Sequence, residues 1–279
     1  MLNLRTVLLV TLGWIGVACA ESWLSPEYMT DSPDGKTMFV TCATSDSLLL
    51  FDTKRCKLSG EWILKCKPSG VAVAGDSTVY VTGGGSAGML YKLGAQGKPV
   101  GNVATGHTPL SPVVSSDGAT VYVLNRFNNS VIAVDAVKMK VADTVNVVRE
   151  PHAAALGADD KLLFVANHLP LCRAVNGAVA AVVSVIDTRT FKCIKNISLP
   201  AGSTGVRGIA ASPDGSYIYI THTIGRYQLP TTQLERGWMN TAGLSVLNGK
   251  TGDYVNTVLL DDVDQGAANP WGEIGRAHV

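Results

Sequence analysis

The residues best suited to chemistry in this chain are histidines and arginines placed between predicted strands. The 279 residues include five histidines, and none of them stands in a metal-ligand spacing. The sequence has neither a Cys-x-x-Cys nor a Cys-x-x-Cys-His motif, and no pair of carboxylates or nucleophile constellation stands out. The available chemistry is therefore recognition, in which imidazole and guanidinium groups hold a small polar or aromatic ligand. An enzyme complete in itself lacks support.

A repeated strand-like segment indicates how these residues are positioned. Its aromatic residue recurs at intervals of 41, 42, 42 and 55 residues, as Phe39, Tyr80, Tyr122, Phe164 and Tyr219. A period near 40 carried by β-rich segments is typical of a radial array in which each repeat is one small sheet. The sequence therefore predicts an all-β fold, a β-propeller of four-stranded blades. We expect about five blades and the start of a sixth here, and seven in the complete protein.

Each repeat contains the signals of four strands. The first strand ends in a tight turn, as at Ser32-Pro33-Asp34-Gly35 and Ser212-Pro213-Asp214-Gly215, where glycine can take a positive φ. The second strand carries the aromatic residue, and the third resembles Val183-Ser184-Val185-Ile186-Asp187-Thr188. The fourth alternates polar and apolar residues like a half-buried outer strand. Aspartates such as Asp34 and Asp214 are explained by these turns.

The pattern Ser-Pro-Asp-Gly-x-x-x-Tyr-Val-x-Asn, followed by a Val-x-Val-Ile-Asp-Thr strand, resembles the YVTN-repeat β-propellers of secreted bacterial and archaeal proteins. The resemblance covers residues 26 to 272. Two segments, 226–240 and 261–271, also look like parts of large exported propeller proteins in which a c-type haem domain similar to di-haem cytochrome c peroxidases follows the propeller. This resemblance implies periplasmic or cell-surface electron transfer. No haem site is encoded in this chain, and haem c would belong to a C-terminal region beyond it.

The first twenty residues read as a secretory signal peptide. Arg5 precedes an apolar run from Val7 to Val17, and Ala18-Cys19-Ala20 supplies small residues for cleavage. We therefore expect a bacterial periplasmic, cell-surface or secreted protein without a membrane span after cleavage. The net charge of +1 gives no sign of a nucleic-acid partner. The mature chain would keep an odd number of cysteines whose pairing the sequence does not determine: Cys42, Cys56, Cys66, Cys172 and Cys193.

Residues 273–279 interrupt the repeat within the first strand of the expected sixth blade. They spell the heptapeptide that a widely used short-read sequencing adapter encodes. We therefore expect residues 273–279 to be adapter read-through and residues 21–272 to be a C-terminally truncated YVTN-type propeller. On this interpretation His278 carries no function.

Strand polarity predicts a functional face. The loops that join one blade to the next should emerge on the same side as the loops between second and third strands, and we call this side the upper face. His107 and His152 fall in the former loops, whereas His168 and His222 follow second strands. A Pro-x-small pattern at the first strands predicts a ring around the channel mouth, with His152 and Arg207 as the best anchors. This ring contains Glu27, Ser69, Leu110, His152, Arg207 and Trp271. It could equally be filled by solvent.

Two insertions between second and third strands mark the same face. Blade four adds His168 to Ala181 and blade five adds Thr223 to Ala242, and insertions on one face of a repeat protein usually serve binding. The stretch Thr232-Gln233-Leu234-Glu235 fits a capping box and predicts one helical turn. This turn would present Arg226, Tyr227, Arg236 and Trp238 to a partner. Alternatively, the insertion is a lid packed on the propeller through Leu229, Leu234, Trp238 and Met239.

Two functional hypotheses follow. The first is an exported, non-catalytic binding scaffold whose upper face holds a protein or small-molecule ligand. The alternative is the propeller half of a periplasmic c-type haem peroxidase-like or electron-transfer protein, in which this face docks a haem domain. The chain as it stands is then not an enzyme, although the complete protein could be an oxidoreductase. A Cys-x-x-Cys-His motif downstream of residue 272 would separate the two.

Overall fold

The computed structural model describes residues 24–171, 179–226, 239–261 and 270. In these residues twenty strands form five antiparallel sheets of four strands each. Blade one contains β1 (Pro26–Asp31), β2 (Thr37–Cys42), β3 (Ser47–Asp52) and β4 (Lys57–Ile63). Blade two contains β5 (Gly70–Val73), β6 (Val79–Gly83), β7 (Met89–Leu93) and β8 (Pro99–Ala104). Blade three contains β9 (Pro109–Val114), β10 (Thr120–Asn125), β11 (Ser130–Asp135) and β12 (Lys140–Asn146).

The last two blades have the same organisation. Blade four contains β13 (Pro151–Leu156), β14 (Leu162–Asn167), β15 (Val182–Asp187) and β16 (Lys192–Ser198). Blade five contains β17 (Ser203–Ala211), β18 (Tyr217–Gly225), β19 (Asn240–Asn248) and β20 (Tyr254–Leu259). In every sheet the strands pair in chain order. The first strands of neighbouring blades contact one another in series, from β1 through β5, β9 and β13 to β17. The predicted propeller of four-stranded blades is thereby confirmed.

The tight turns form for the reason that the sequence suggests. The Ser212 hydroxyl donates a hydrogen bond of 2.6 Å to Asp214 Oδ1, and Gly215 adopts a φ of +66°. The same Ser-to-Asp hydrogen bond occurs between Ser32 and Asp34. The Ser212 hydroxyl and backbone amides lower the pKa of Asp214 to about 2. These aspartates are thus engaged in turn structure, as predicted.

The hydrophobic cores lie between blades and follow the alternation of each strand. Leu163 and Val165 of β14 pack with Tyr122 of blade three. Their neighbour Phe164 points to the other face and packs with Ile218 of blade five. Because successive side chains of a strand point to opposite faces, one strand serves two interfaces. The outer strands, in contrast, are largely exposed.

The blade-five insertion is shorter than the sequence analysis predicts. Strand β18 continues to Gly225 and β19 begins at Asn240, so that Thr223 pairs with Ala242 and Gly225 with Asn240. Residues 223–225 and 240–242 are therefore paired strand, because β-branched residues such as Thr223 and Ile224 extend the hairpin ladder. The described structure does not include residues 227–238, which contain Tyr227, Arg236, Trp238 and the predicted helical turn, nor does it include Trp271.

The predicted signal peptide, the sixth blade beyond residue 270 and the 273–279 tail likewise lie outside the described residues. Across the described ranges, no helix has the length and apolar character needed to cross a membrane.

Candidate functional site

The upper-face loops are tied together by backbone hydrogen bonds. The amide of Arg126, just after β10, donates to the carbonyl of Thr108 in the preceding blade-to-blade loop over 3.2 Å. The amide of His168, just after β14, donates to the carbonyl of Glu150 over 2.9 Å. Loops of both kinds therefore lie side by side, as strand polarity predicts.

A left-handed residue begins every described blade. The residue directly before or near the start of each first strand has a positive φ, between 46° and 62°: Ser25, Lys67, Thr108, Glu150 and Gly205. Four of these five residues are not glycine, and a residue with a Cβ atom disfavours this left-handed conformation. Because the positive φ recurs at equivalent positions, the geometry of the blade requires this backbone conformation. The chain therefore reverses sharply at the same point of each blade, directly before the residues of the predicted first-strand ring.

Two of the predicted histidines lie together beside the start of a first strand, in blade four. The rings of His152, on β13, and His168, after β14, have centroids 5.3 Å apart. His168 Nδ1 is 3.1 Å from the carbonyl oxygen of Val206, beside the predicted anchor Arg207. Since a carbonyl only accepts, Nδ1 of His168 carries the hydrogen and Nε2 is the acceptor in the neutral ring. Residues from two consecutive first strands thus meet around one pair of imidazoles.

An ion pair from blade three completes the group. Arg126 donates from Nη2 to Glu150 Oε2 over 2.9 Å and from Nε to the same oxygen over 3.2 Å. The exposed fractions of these two side chains are only 27% and 21%, so the pair is largely shielded from solvent. We call Arg126, Glu150, His152, His168 and Arg207 the channel-mouth cluster.

The electrostatics of the cluster keep its histidines neutral at physiological pH. Burial lowers the pKa of His152 to about 4, and His168, Arg126 and Arg207 contribute in the same direction. Burial also lowers the pKa of His168, although the Val206 carbonyl and Glu150 oppose this. Hence two guanidinium groups and one carboxylate act on a pair of uncharged imidazoles.

One atom in the cluster lacks a hydrogen-bond partner. His152 Nδ1 is buried and unsatisfied among the described residues, although the His152 side chain as a whole is only half-buried. A buried polar atom without a partner is costly and needs an explanation. The same holds for His222 Nδ1, Thr221 Oγ1 and Thr241 Oγ1 in blade five, so this state is not special to the cluster.

The other predicted residues of the first-strand ring have different environments. Glu27 is exposed, and the adjoining Tyr28 is 36% exposed as a residue. Burial of the phenol end raises the pKa of Tyr28, and Ser111 of blade three acts in the opposite direction. Ser69 donates to the Pro109 carbonyl over 2.6 Å and so links blades two and three.

His222 does not belong to the upper face, contrary to the prediction. It lies within β18, has no exposed surface, and its Nε2 is 2.7 Å from Ser245 Oγ. In the repeat it takes the place of Asn167, whose amide donates to Ser184 Oγ in blade four. The Ser245 hydroxyl in turn is 2.6 Å from Thr257 Oγ1. His222 is a buried structural residue because the hairpin extends beyond it.

Three further residues of the upper face belong to no motif in the sequence: Arg126, Phe127 and Glu150. Phe127 is 52% exposed, and its ring lies 5.1 Å from the His107 ring and 5.0 Å from the Arg126 guanidinium. An open depression of about 470 Å³ adjoins it and includes His107 and Asn128 in its lining. The available signal was position, because Arg126 and Phe127 follow the second strand of blade three as His168 follows that of blade four.

The remaining candidates contribute little in the described structure. Arg226 is exposed at the end of β18, and its amide donates to the Met239 carbonyl. Cys42, Cys56, Cys66 and Cys193 are free thiols, whereas Cys172 lies outside the described residues. No group of three or more potential metal ligands occurs in the ranges that the structure covers.

Comparisons with known proteins identify homologous propellers. Over 251 residues, 88% of this chain, it is 26% identical to hydrazine synthase subunit beta of Kuenenia stuttgartiensis. Over 191 residues, 68% of the chain, it is 27% identical to a seven-bladed beta-propeller protein of Mycobacterium tuberculosis. The matches span 63% and 39% of the lengths of these two proteins. No family model matches the sequence.

A solved structure gives the same result in three dimensions. A chain of Kuenenia stuttgartiensis hydrazine synthase superimposes with a TM-score of 0.80 at 25% identity, covering 92% of this chain and 72% of that one. The fold is therefore a β-propeller with a seven-bladed homologue, and five blades of this chain are described here.

Proposed function

We propose that this protein is a non-catalytic binding propeller that docks a partner protein through its upper face, as a subunit of a larger enzyme assembly. The observation that supports this proposal best is the surface formed by His107, Phe127 and Arg126. It joins an exposed aromatic ring to the Arg126 guanidinium and to an imidazole from the preceding blade-to-blade loop. Aromatic residues and arginine are enriched among the residues that dominate protein interfaces. The similarity to a protein named as an enzyme subunit favours the same role.

We further propose that the protein is exported and that its partner carries haem. The apolar segment at residues 7–17 supports export to the periplasm, the cell surface or the medium. The resemblance of residues 226–240 and 261–271 to proteins that combine a YVTN-type propeller with a c-type haem domain favours a haem-bearing partner. Most of both segments lies outside the described residues. Two observations test the haem-bearing partner. One is a Cys-x-x-Cys-His motif in the codons that follow residue 272, and the other is a Soret absorption band of haem in the purified complex.

The docking role is tested by removing the exposed ring. We expect Phe127→Ala to weaken binding at least tenfold, or about 1.4 kcal/mol, because a central aromatic anchor is lost. The chain is co-expressed with the polypeptides encoded beside its gene, and complexes are quantified by native mass spectrometry and titration.

Val137→Ala is the matched control. Val137 is 83% exposed but lies in the β11–β12 turn, on the side opposite to the upper face. Absence of any complex, or equal weakening by the two variants, would reject docking through Phe127.

A further inference from the structure

Charged side chains are distributed differently on the two sides of the propeller. The lower side carries the turns between first and second strands and between third and fourth strands. Its aspartates hold these turns by accepting hydrogen bonds from backbone amides, and they also pair with neighbouring cations. The described ion pairs within these turns are Lys36 with Asp34, Arg55 with Asp52, Lys138 with Asp135 and Lys161 with Asp159. Positive charge on the lower side is therefore accompanied by carboxylates.

The upper-face loops have few carboxylates, and those in the described loops are already engaged. Asp46 Oδ1, in the loop after β2, accepts a hydrogen bond from the Lys67 amide over 2.8 Å. Glu150 accepts from the Arg126 guanidinium. The Glu150 amide donates to an asparagine instead of an aspartate, since Asn129 Oδ1 accepts from it over 2.8 Å. These loops therefore satisfy their backbone amides with little negative charge.

Three cations of the described upper-face loops remain without a carboxylate partner. Lys65 and Lys67 lie in the loop between blades one and two, and Arg149 lies in the loop between blades three and four. Each is exposed, and none forms an ion pair with a described residue. Two exposed carboxylates, Glu27 on β1 and Glu61 on β4, lie outside these loops. The described loops therefore present positive charge to the solvent.

Backbone amides place the exposed ring of Phe127 between these cations. Hydrogen bonds between neighbouring loops cross the upper face in one series: from Gly84 to Cys66, from Thr108 to Gly85, from Phe127 to His107 and from Glu150 to Asn129. The first joins the loop of Lys65 and Lys67, and the last joins the loop of Arg149. Phe127 lies between the two ends of this series. The proposed aromatic anchor is therefore flanked by positive charge on two sides.

We infer that the upper face docks an acidic surface of its partner protein, with carboxylates opposite Lys65, Lys67 and Arg149 around the contact at Phe127. This inference rests on the proposed docking role and names the chemistry of the partner. Complementary charge accelerates the encounter of two proteins and disfavours partners of the same sign. Attraction to an anionic lipid surface takes a denser group of about four to eight lysines and arginines. These residues therefore favour a protein as the occupant.

The first test measures how fast the complex with the polypeptides encoded beside the gene forms. The association rate constant is followed by stopped flow while the ionic strength is raised from about 0.01 M to about 0.15 M, which shortens the Debye length from about 30 Å to about 8 Å. We expect a decrease of about tenfold for the parent protein. The triple variant Lys65→Glu/Lys67→Glu/Arg149→Glu should associate about tenfold more slowly than the parent at the lower ionic strength, because its loops repel the acidic surface.

A lower-side variant is the matched control. Lys54→Glu/Lys98→Glu/Lys140→Glu changes the net charge by the same amount at exposed lysines that form no described ion pair. It should associate like the parent protein. An association rate that does not depend on salt, or equal slowing by the two triple variants, would overturn the inference and leave docking through Phe127 intact.

A second measurement does not require the partner. A blocked Glu-Glu-Leu-Glu-Glu peptide and its Gln-Gln-Leu-Gln-Gln counterpart are titrated into the full chain at low ionic strength, and the ring signals of Phe127 are followed by NMR. We expect saturable shifts with the glutamate peptide alone, and none in the upper-face triple variant. Equal responses to the two peptides, or binding to phosphatidylglycerol vesicles without a response to the glutamate peptide, would reject an acidic protein surface. Peptide binding without any partner complex would instead reject the docking role alone.

Discussion

At the scale of single residues, the molecule uses histidine in two different ways. His152 and His168 are brought together at the channel mouth beside charged groups, whereas His222 is enclosed in blade five and hydrogen-bonded to Ser245. Burial lowers the pKa of both His152 and His222 to about 4. The same side chain is therefore part of a candidate site in one blade and part of the framework in another.

The buried His222 should make folding sensitive to acid. Its pKa is lower in the folded protein than the ordinary value of 6.5, so the unfolded chain binds the proton more readily. Its stabilising contribution is present above pH 6.5 and is lost as pH falls from there through about 4. The free energy of unfolding should drop by about 2 kcal/mol from this residue between pH 7 and pH 5.

Urea denaturation of the parent protein and of His222→Asn at both pH values measures this effect. Asparagine occupies the equivalent position in blades three and four, as Asn125 and Asn167, so the variant should fold and lose most of the difference. His107→Asn, at an exposed position, should retain the full difference. An unchanged pH dependence in His222→Asn would contradict the assignment.

At the scale of elements, turns with the same sequence differ in what surrounds them. Gly35 and Gly215 occupy equivalent positions in Ser-Pro-Asp-Gly turns and have φ values of +67° and +66°. A Cβ added at Gly35 would meet nothing within 4 Å, whereas at Gly215 it would lie 2.7 Å from backbone atoms of Ala158. The blade-five turn is thus packed against blade four, and the Ala158 amide also donates to the Gly215 carbonyl.

The two glycines form a matched pair for mutation. Gly35→Ala should cost about 1–2 kcal/mol, because alanine disfavours the left-handed conformation. Gly215→Ala should cost a further 1–3 kcal/mol, roughly, because the methyl group also collides with the Ala158 backbone. Chemical denaturation of both variants gives the comparison. Equal losses would show that the contact between these turns does not contribute to stability.

At the scale of the whole molecule, blade five exposes an apolar face whose equivalent in blade four is buried. Ile197 and Leu199 of blade four are 6% and 3% exposed, whereas Val258 and Leu260, at the equivalent positions of blade five, are 48% and 43% exposed. Blades of a propeller are stabilised by contact with their neighbours. This apolar face therefore favours association with another surface.

We expect the chain to self-associate with increasing concentration. The double variant Val258→Lys/Leu260→Lys should strongly reduce self-association, because charged side chains oppose burial of the face. Sedimentation velocity over a range of concentrations measures the change. Val137→Lys alters a more exposed valine in the β11–β12 turn, away from this face, and should leave association unchanged. A parent protein that remains monomeric at all concentrations would contradict the prediction.

The amino-acid sequence by itself determined the repeating unit. The period of the aromatic residues, the alternation along each strand and the Ser-Pro-Asp-Gly turns are local properties, which act through backbone conformation and short-range hydrogen bonds such as that from Ser212 to Asp214. For this reason the four-stranded blades and the pairing of loops on one face were predictable. The blade-five insertion was not, because its length depends on how far β18 and β19 continue to pair.

Only the tertiary structure decided which side chains meet. Arg126 pairs with Glu150 of the following blade-to-blade loop, and His152 of β13 approaches His168 just after β14. His222 is enclosed even though its sequence position resembled that of His168. These outcomes depend on how blades pack against each other. Strand periodicity sets the side to which a residue points but not its distance from a residue of the next blade. The candidate site lies at such junctions between blades. The sequence pointed to His152, His168 and Arg207, and only the folded chain added Arg126 and Glu150.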